Sequence, residues 1–329
     1  MRYLSLFSGI GGFELGIHAV FPDAECLGYA EVDKNALQVY ATHYPKHPAL
    51  GDVTKIDFRP FKGRVDLVVA GFPCKDLSRA RCAHSSERKG LEGSQSGLFY
   101  HVVRCLEECE PKQFILENVA SMNKAEKQKI NDILGVDAVM LNSAWFSAQT
   151  RKRLFWIKGF ELGSDKEQAA KDVLKSVSWP VKLRLPDCLR ASNTCSDLVH
   201  TDTTIKYLFQ PLTVRGHKTI KPRIEAFPYF TVSSQEKSKT IGSYMTTTHR
   251  NLLIDERIQD KPIFRKFAPE ELEMLQTFPA AWTVGVSTTQ RIKLLGNAVT
   301  PTVIVYIMQA QNRKCSLRQL LQSVRLSTA

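Results

Sequence analysis

Along this chain the hydrophobic positions fall in short unbroken runs. Those at Tyr3–Ser8, Cys26–Val32, Val65–Phe72, Gln113–Glu117, Ala138–Leu141 and Leu154–Lys158 predict strands covered on both faces. Amphipathic patterns lie between them, around Phe13–Val20, Lys34–Tyr44, Gly97–Cys109 and Lys124–Leu134, and predict helices. Strands alternating with helices predict an α/β fold, a doubly wound, mostly parallel sheet of Rossmann-like type. After Ser176 the helical pattern fades, and Pro180, Pro186, Pro211, Pro222 and Pro228 break the chain among many Ser and Thr residues. That region reads as irregular and partly β. A helix is expected again at Pro269–Thr277, which opens with proline and has acids in its first turn. Another apolar stretch covers Val303–Gln311. The expected organisation is a sheet domain of residues 1–175 and 286–329, with a smaller irregular, β-containing domain of 176–285.

With 329 residues the chain can bury a large core, and 43% hydrophobic and 24% charged side chains exclude a disordered or fibrous protein. No apolar run approaches the ~20 residues of a membrane helix. The N-terminus lacks the pattern of a secretion signal. A soluble, intracellular protein without membrane partners is expected. The net charge of +12 is uneven: residues 1–110 hold 13 basic and 14 acidic side chains, residues 111–329 hold 32 and 19. A neutral front and a basic back suit a small-molecule site joined to a polyanion-binding surface. The eight cysteines include no CxxC pair, which argues against a zinc ribbon or a disulfide framework, and no metal is expected.

Four segments carry chemistry. Leu4-Ser5-Leu6-Phe7-Ser8-Gly9-Ile10-Gly11-Gly12-Phe13 is a strand running through a glycine-rich turn into a helix, where a ligand can approach the backbone closely. Glu31 ends the second strand, where a ribose hydroxyl would be bound. Asp52, ending a third short strand, can accept from an adenine amine. An adenosine cofactor fits, although this pattern alone does not separate NAD from S-adenosylmethionine, and its G-x-G-G spacing departs from the dinucleotide fingerprint. In the second segment a buried strand ends in Gly71-Phe72-Pro73-Cys74, presenting Cys74 at the edge where α/β sheets bind ligands. A thiolate there is an effective nucleophile if cations lower its pKa. The third, Phe114-Ile115-Leu116-Glu117-Asn118-Val119, ends an apolar strand in a carboxylate on that same edge; a partly desolvated Glu can donate as well as accept. The fourth is Gln149-Thr150-Arg151-Lys152-Arg153. An extended chain points Arg151 and Arg153 the same way, toward a phosphate or a base carbonyl. Each segment alone also admits a plain structural reading: a tight turn, a packed cysteine, a capping glutamate, a solvated basic turn.

In this order the four segments resemble the cytosine-5 DNA methyltransferase family. Arg265-Lys266-Phe267-Ala268-Pro269-Glu270-Glu271 running on to Phe278-Pro279, and Leu295-Gly296-Asn297-Ala298-Val299-Thr300-Pro301, fit as well. The resemblance covers about 1–158 and 264–310. It implies methylation of cytosine C5 in a specific double-stranded DNA sequence, with S-adenosylmethionine as cofactor. It casts Cys74, Glu117, Arg151 and Arg153 as catalytic. Phe7, Ser8, Gly9, Gly11, Gly12, Glu31, Val32, Asp52, Val53, Pro73, Leu98, Asn297, Ala298 and Val299 would be cofactor contacts. Lys75, Ser78, Arg79, Arg81, Arg88 and Lys89 would be DNA contacts on a loop closing over the flipped base.

The resemblance also makes 176–285 the target-recognition domain and 1–175 with 286–329 the catalytic and cofactor-binding domain. Lys75 follows Cys74 where the family more often has Gln or Asn. The expected enzyme is a compact monomer of bacterial, phage or viral type, cytoplasmic in the first two settings and nuclear in a eukaryotic or viral one. A cognate restriction endonuclease is a partner left open. Three rivals are a transfer-RNA cytosine-5 methyltransferase, a non-catalytic DNA-binding paralogue and an NAD-dependent oxidoreductase.

Overall fold

The computed structural model describes residues 1–73, 96–163, 165–189, 211–214, 217–222, 230–231, 238, 253–255 and 263–310. It divides into two compact units: Met1–Trp145 with Lys152–Ser178 and Val299–Ala329, and Phe146–Arg151 with Trp179–Ala298.

The first unit is built on a seven-stranded sheet. Its strands are β1 (Arg2–Leu6), β2 (Glu25–Ala30), β3 (Ala49–Gly51), β4 (Leu67–Gly71), β5 (Gln113–Val119), β6 (Val139–Asn142) and β7 (Lys152–Lys158), in the order β3-β2-β1-β4-β5-β7-β6. Strands β1 to β5 pair in parallel with one another, as expected of apolar runs covered on both faces. Strand β7 runs antiparallel to both β5 and β6, from Phe114 opposite Lys158 to Val119 opposite Arg153. Helices α1 (Gly12–Val20), α2 (Lys34–His43), α3 (Phe99–Cys109), α4 (Lys124–Leu134) and α5 (Lys166–Ser176) fall where the amphipathic patterns predict them or, for α5, just before the pattern fades. Leu4, Leu6, Val68, Ala70, Phe99, Leu116 and Trp156 form the buried centre. Trp156 satisfies its indole N–H on Asn131 Oδ1 at 2.7 Å.

The chain returns to this unit at its far end. Residues 301–310 are helical, and Ser143 Oγ donates to Thr300 Oγ1 at 2.9 Å. A side chain at Gly16 would stand 2.5 Å from Ile304 Cβ and 2.8 Å from the Pro301 carbonyl, so this helix lies directly on α1. Thr288–Ala310 has the length and composition of a membrane span, but the backbone leaves helical geometry at Ala298 (φ −68°, ψ 150°) and 78% of the most apolar window is buried in the protein. It is core.

The second unit contains a short helix α6 (Leu185–Cys188), strands β8 (Pro211–Val214), β9 (His217–Pro222), β10 (Phe230–Thr231), β11 (Leu253–Asp255) and β12 (Ile263–Arg265), and helices α7 (Pro269–Leu275) and α8 (Thr288–Asn297). Strands β8 and β9 pair antiparallel, and β10, β11 and β12 form a small sheet. Arg265 and Glu271, both fully buried, pair through two 2.9 Å bonds, and Arg291 joins α8 to Glu270 and Glu273 of α7. The unit begins at Trp179, runs past 285 to Ala298 and takes in Phe146–Arg151, whereas the expected span is 176–285. Arg291 ties α8 to α7, and Phe146–Arg151 packs here through Gln149, whose amide donates to the Leu275 carbonyl (3.2 Å) and to Gln276 Oε1 (3.0 Å).

A polar network under α1 escapes the hydropathy pattern. Glu14 is fully buried; Tyr40 donates to its Oε1 at 3.0 Å, and the same hydroxyl lies 3.0 Å from His47 Nδ1. Tyr44 stacks on His47 with ring centroids 4.9 Å apart. Burial pushes the Glu14 carboxyl up to about 7, against the lowering influence of the Ser5 and Tyr40 hydroxyls, and pushes His47 down to about 4. A carboxyl raised in the folded state stabilises fully below its unfolded value of 4.5 and loses that contribution as pH rises through about 7. The advantage of Glu14→Gln over wild type should therefore grow by about 3 kcal/mol from pH 4 to pH 8. Urea unfolding at both pH values checks this, and a pH-independent difference would disprove it.

Candidate active site

The edge at the carboxyl ends of β1, β2 and β4 gathers the residues expected to hold a cofactor. Phe7 leaves β1 at φ 55°, a region bulky residues seldom occupy, and Gly9 and Gly11 follow at φ 56° and 83°. Gly11 is the N-cap of α1 and supplies no side-chain cap to the first N–H groups of the helix. Glu31 ties this turn to the end of β2: Oε2 accepts from Gly9 N at 2.9 Å, and Oε1 accepts from Val32 N and Asp33 N at 2.7 and 2.8 Å. Beside it Val32 is 67% exposed, an apolar face offered to solvent. The backbone N–H and hydroxyl of Thr54 hold Asp52 below the usual carboxylate range. Val53 is buried below it, and Leu98 lies half-buried at the entry to α3.

These groups fit an adenosine cofactor. Val32 suits a flat base, Glu31 and Asp52 supply acceptors, and Ser8 Oγ is buried with no hydrogen-bond partner among the described residues. Arg104, to which no sequence motif points, donates to the carbonyls of Val53 and Ile56 (2.9 and 2.7 Å) and fixes the segment that carries Asp52.

Next to this edge the parallel register sets Gly71 opposite Glu117. A Cβ at Gly71 would stand 3.6 Å from Glu117 Oε2. Arg153 Nε lies 2.9 Å from Glu117 Oε1, with both side chains largely buried. It is the counter-charge that a desolvated carboxylate needs. Asn118, 1% exposed, donates from Nδ2 to the Phe72 carbonyl at 3.1 Å and so fixes the strand end just before half-buried Pro73. The sequence assigns Asn118 no role; the signal available there is an amide closing an apolar strand. Cys74, Lys75, Ser78, Arg79, Arg81, Arg88 and Lys89 lie outside the described residues.

Arg151 departs from expectation. It belongs to the second unit, is 2% exposed, and donates through Nη2 to the carbonyls of Gly296 (3.0 Å) and Ala298 (2.8 Å). Alternation along an extended strand predicts two arginines side by side. Strand β7 begins only at Lys152, and the end of α8 takes the first of them. Asn297 closes α8 and is exposed, Ala298 follows half-buried, and Val299 is buried in the first unit.

A mostly parallel sheet with one reversed strand, bearing an adenosine-type edge beside a paired carboxylate, defines a Rossmann-like α/β protein. The chain belongs to the C-5 cytosine-specific DNA methylase family, whose sequence profile matches residues 1–313, and the enzyme is a DNA (cytosine-5-)-methyltransferase. It is similar to Type II methyltransferase M.NlaX of Neisseria lactamica, with 26% identity over 321 residues, 96% of this chain and 97% of the relative. It is also similar to Type II methyltransferase M1.ScrFI of Lactococcus lactis subsp. cremoris, with 27% identity over 92% of this chain and 76% of the relative. In fold it is similar to the S. pombe Dnmt2 methyltransferase, with a TM-score of 0.68 at 17% identity, over 96% of this chain and 99% of that one.

Proposed function

We propose that this enzyme methylates C5 of a cytosine flipped out of a specific double-stranded DNA sequence, through a transient bond between Cys74 Sγ and ring carbon C6, with S-adenosylmethionine as methyl donor. One observation carries the reading. The Glu117–Arg153 pair stands at the sheet edge beside the Gly71–Phe72 strand end, and Cys74 follows Phe72 by two residues, a reach of at most about 7 Å.

Cytosine C5 is a poor nucleophile. Addition of the Cys74 thiolate to C6 pushes the electrons of the C5–C6 double bond toward C5. Glu117 hydrogen-bonds N3 and the exocyclic amine and stabilises the ring as it takes up electron density. Arg153 keeps Glu117 in place and donates to the cytosine O2. S-adenosylmethionine supplies, when bound, a methyl group activated by its sulfonium. Loss of the C5 proton and expulsion of Cys74 then restore the aromatic ring. Phe7, Ser8, Gly9, Gly11, Gly12, Glu31, Val32, Asp52, Val53, Pro73, Leu98, Asn297, Ala298 and Val299 hold the cofactor in this reading. Flipping the base costs a few kcal/mol, which phosphate contacts from Lys75, Arg79, Arg81, Arg88 and Lys89 offset. The type II names of the relatives extend the reading to a cognate restriction endonuclease as partner and, in a bacterial or phage host, to the cytoplasm as its place of work.

The test offers radiolabelled S-adenosylmethionine with unmethylated genomic DNA and with bulk transfer RNA, using wild type and Cys74→Ala. Label in DNA as 5-methylcytosine, lost in Cys74→Ala while cofactor binding persists, is the expected result. Turnover by Cys74→Ala removes the covalent step, and label in RNA alone overturns the substrate.

A further inference from the structure

We propose that Arg104 is a positioning residue that makes the cofactor edge selective for adenine: by holding the turn after β3 it sets Asp52 and Val53 to read the amine and the adjacent ring nitrogen of the base. The inference rests on the reading above, in which S-adenosylmethionine is the cofactor. The topology places the site. The chain steps outward from β1 to β2 and β3, then returns to β4 on the other side of β1. In an open α/β sheet a ligand lies beyond the carboxyl ends of the strands at such a reversal. The turn from Phe7 to Gly11 leaves β1 there, Val32 follows β2, and Asp52 follows β3 directly. All of these residues, and Arg104 with them, belong to the first unit.

Asp52 opens a tight turn, closed by the Lys55 N–H donating to its carbonyl at 2.9 Å. Its Oδ1 is engaged within that turn, accepting from the Thr54 N–H at 3.0 Å and the Thr54 hydroxyl at 2.8 Å. Oδ2 has no hydrogen-bond partner among the described residues, and neither has the Val53 N–H. The Thr54 bonds keep the carboxyl ionised, so it accepts only. An acceptor beside a donor matches the amine and N1 of adenine. Hypoxanthine, with a carbonyl oxygen in place of the amine and a proton on N1, presents the reverse. Such a pair discriminates well only if its backbone is ordered before the ligand arrives. Arg104, on α3, supplies that order: Nη2 donates to the Val53 carbonyl at 2.9 Å and Nη1 to the Ile56 carbonyl at 2.7 Å. The guanidinium is itself held. Its Cζ lies 5.0 Å over the ring of fully buried Phe58, and Glu108 Oε2, 3.5 Å from Nη1, also accepts from the Phe58 N–H at 2.9 Å. His101 Nδ1 lies 3.4 Å from Nη2. One side chain thus ties an exposed reading turn to the core.

The experiment measures equilibrium binding of S-adenosylhomocysteine and of S-inosylhomocysteine, its hypoxanthine counterpart, to the full chain, for wild type, Arg104→Lys, Asp52→Ala and the double variant. Wild type is expected to prefer the adenine compound about ten- to a hundredfold. Lysine keeps the charge but lacks the planar fork that spans both carbonyls. In Arg104→Lys the preference is expected to fall below about threefold, through weaker binding of the adenine compound alone. The double variant should match Asp52→Ala, because Arg104 acts through the turn that carries Asp52. A merely structural role would weaken both compounds by the same factor, so an unchanged ratio in Arg104→Lys overturns the proposal. Equal binding of the two compounds by wild type, or an unaltered preference in Asp52→Ala, overturns it as well. The Arg104 side chain is 31% exposed, so lysine opens no buried cavity. If that variant does not fold, Arg104→Gln, which offers an amide donor to one carbonyl, is read in the same way. If wild type binds neither compound, the functional reading fails first and this inference with it.

Discussion

Glutamine in place of Glu117 is expected to slow methyl transfer by about 10²–10⁴-fold while leaving cofactor affinity near that of wild type. The substitution keeps the shape of a side chain that is 12% exposed, so it tests charge and proton chemistry without opening a cavity. An amide offers N3 of the base no carboxyl proton, and it no longer balances Arg153, whose Nε sits 2.9 Å from the present carboxylate. Partial loss of stability is therefore part of the expected result. The rate has to be read as single-turnover formation of 5-methylcytosine at saturating DNA and cofactor, where weakened binding cannot pass for weakened chemistry. A rate within fivefold of wild type would take Glu117 out of the mechanism.

The second large effect falls on the cofactor turn. Gly11 sits at φ 83°, and a Cβ there would stand 2.6 Å from Tyr44 Cε2. Alanine is disfavoured twice, by backbone strain and by overpacking against a ring already stacked on His18 and His47. Together these should cost about 2–5 kcal/mol of stability. They should also displace the turn from the ligand it is expected to cradle. Gly51 provides the control. It has φ 78°, and a Cβ there would meet nothing within 4 Å, so Gly51→Ala carries the strain alone, about 1–2 kcal/mol. Denaturant unfolding of the two variants separates the contributions, and equal losses would dismiss the clash with Tyr44.

What the sequence makes legible, and what it does not, follows from the range of each interaction. Strands β1, β2, β4 and β5 are readable because strands buried on both faces must be apolar throughout, and the glycine turn because its conformation is local. Glu117 stands out as a carboxylate closing such a run. The direction of β7 is hidden, since an apolar run looks the same in either sense. The placement of Arg151 is hidden because its acceptors lie about 145 residues further along the chain. Glu14 gives no signal for a related reason: its burial depends on Tyr40 from another helix, and nothing within its own turn announces it.

The packing of Phe146–Arg151 with Trp179–Ala298 sets a rule for engineering. A chimaera that takes residues 176–285 from a relative would cut through a packed unit. Gln149 would stay with the recipient while its acceptors at Leu275 and Gln276 came from the donor. Arg151 would stay too, bonding Gly296 and Ala298 while Gln276, which also donates to the Ala298 carbonyl, had been exchanged. A transplant that carries 146–151 as a second, six-residue graft, and runs to Ala298 at its far end, keeps donors and acceptors from one parent. Recombination at sites chosen from alignment alone would tend to yield proteins with mismatched partners at this seam.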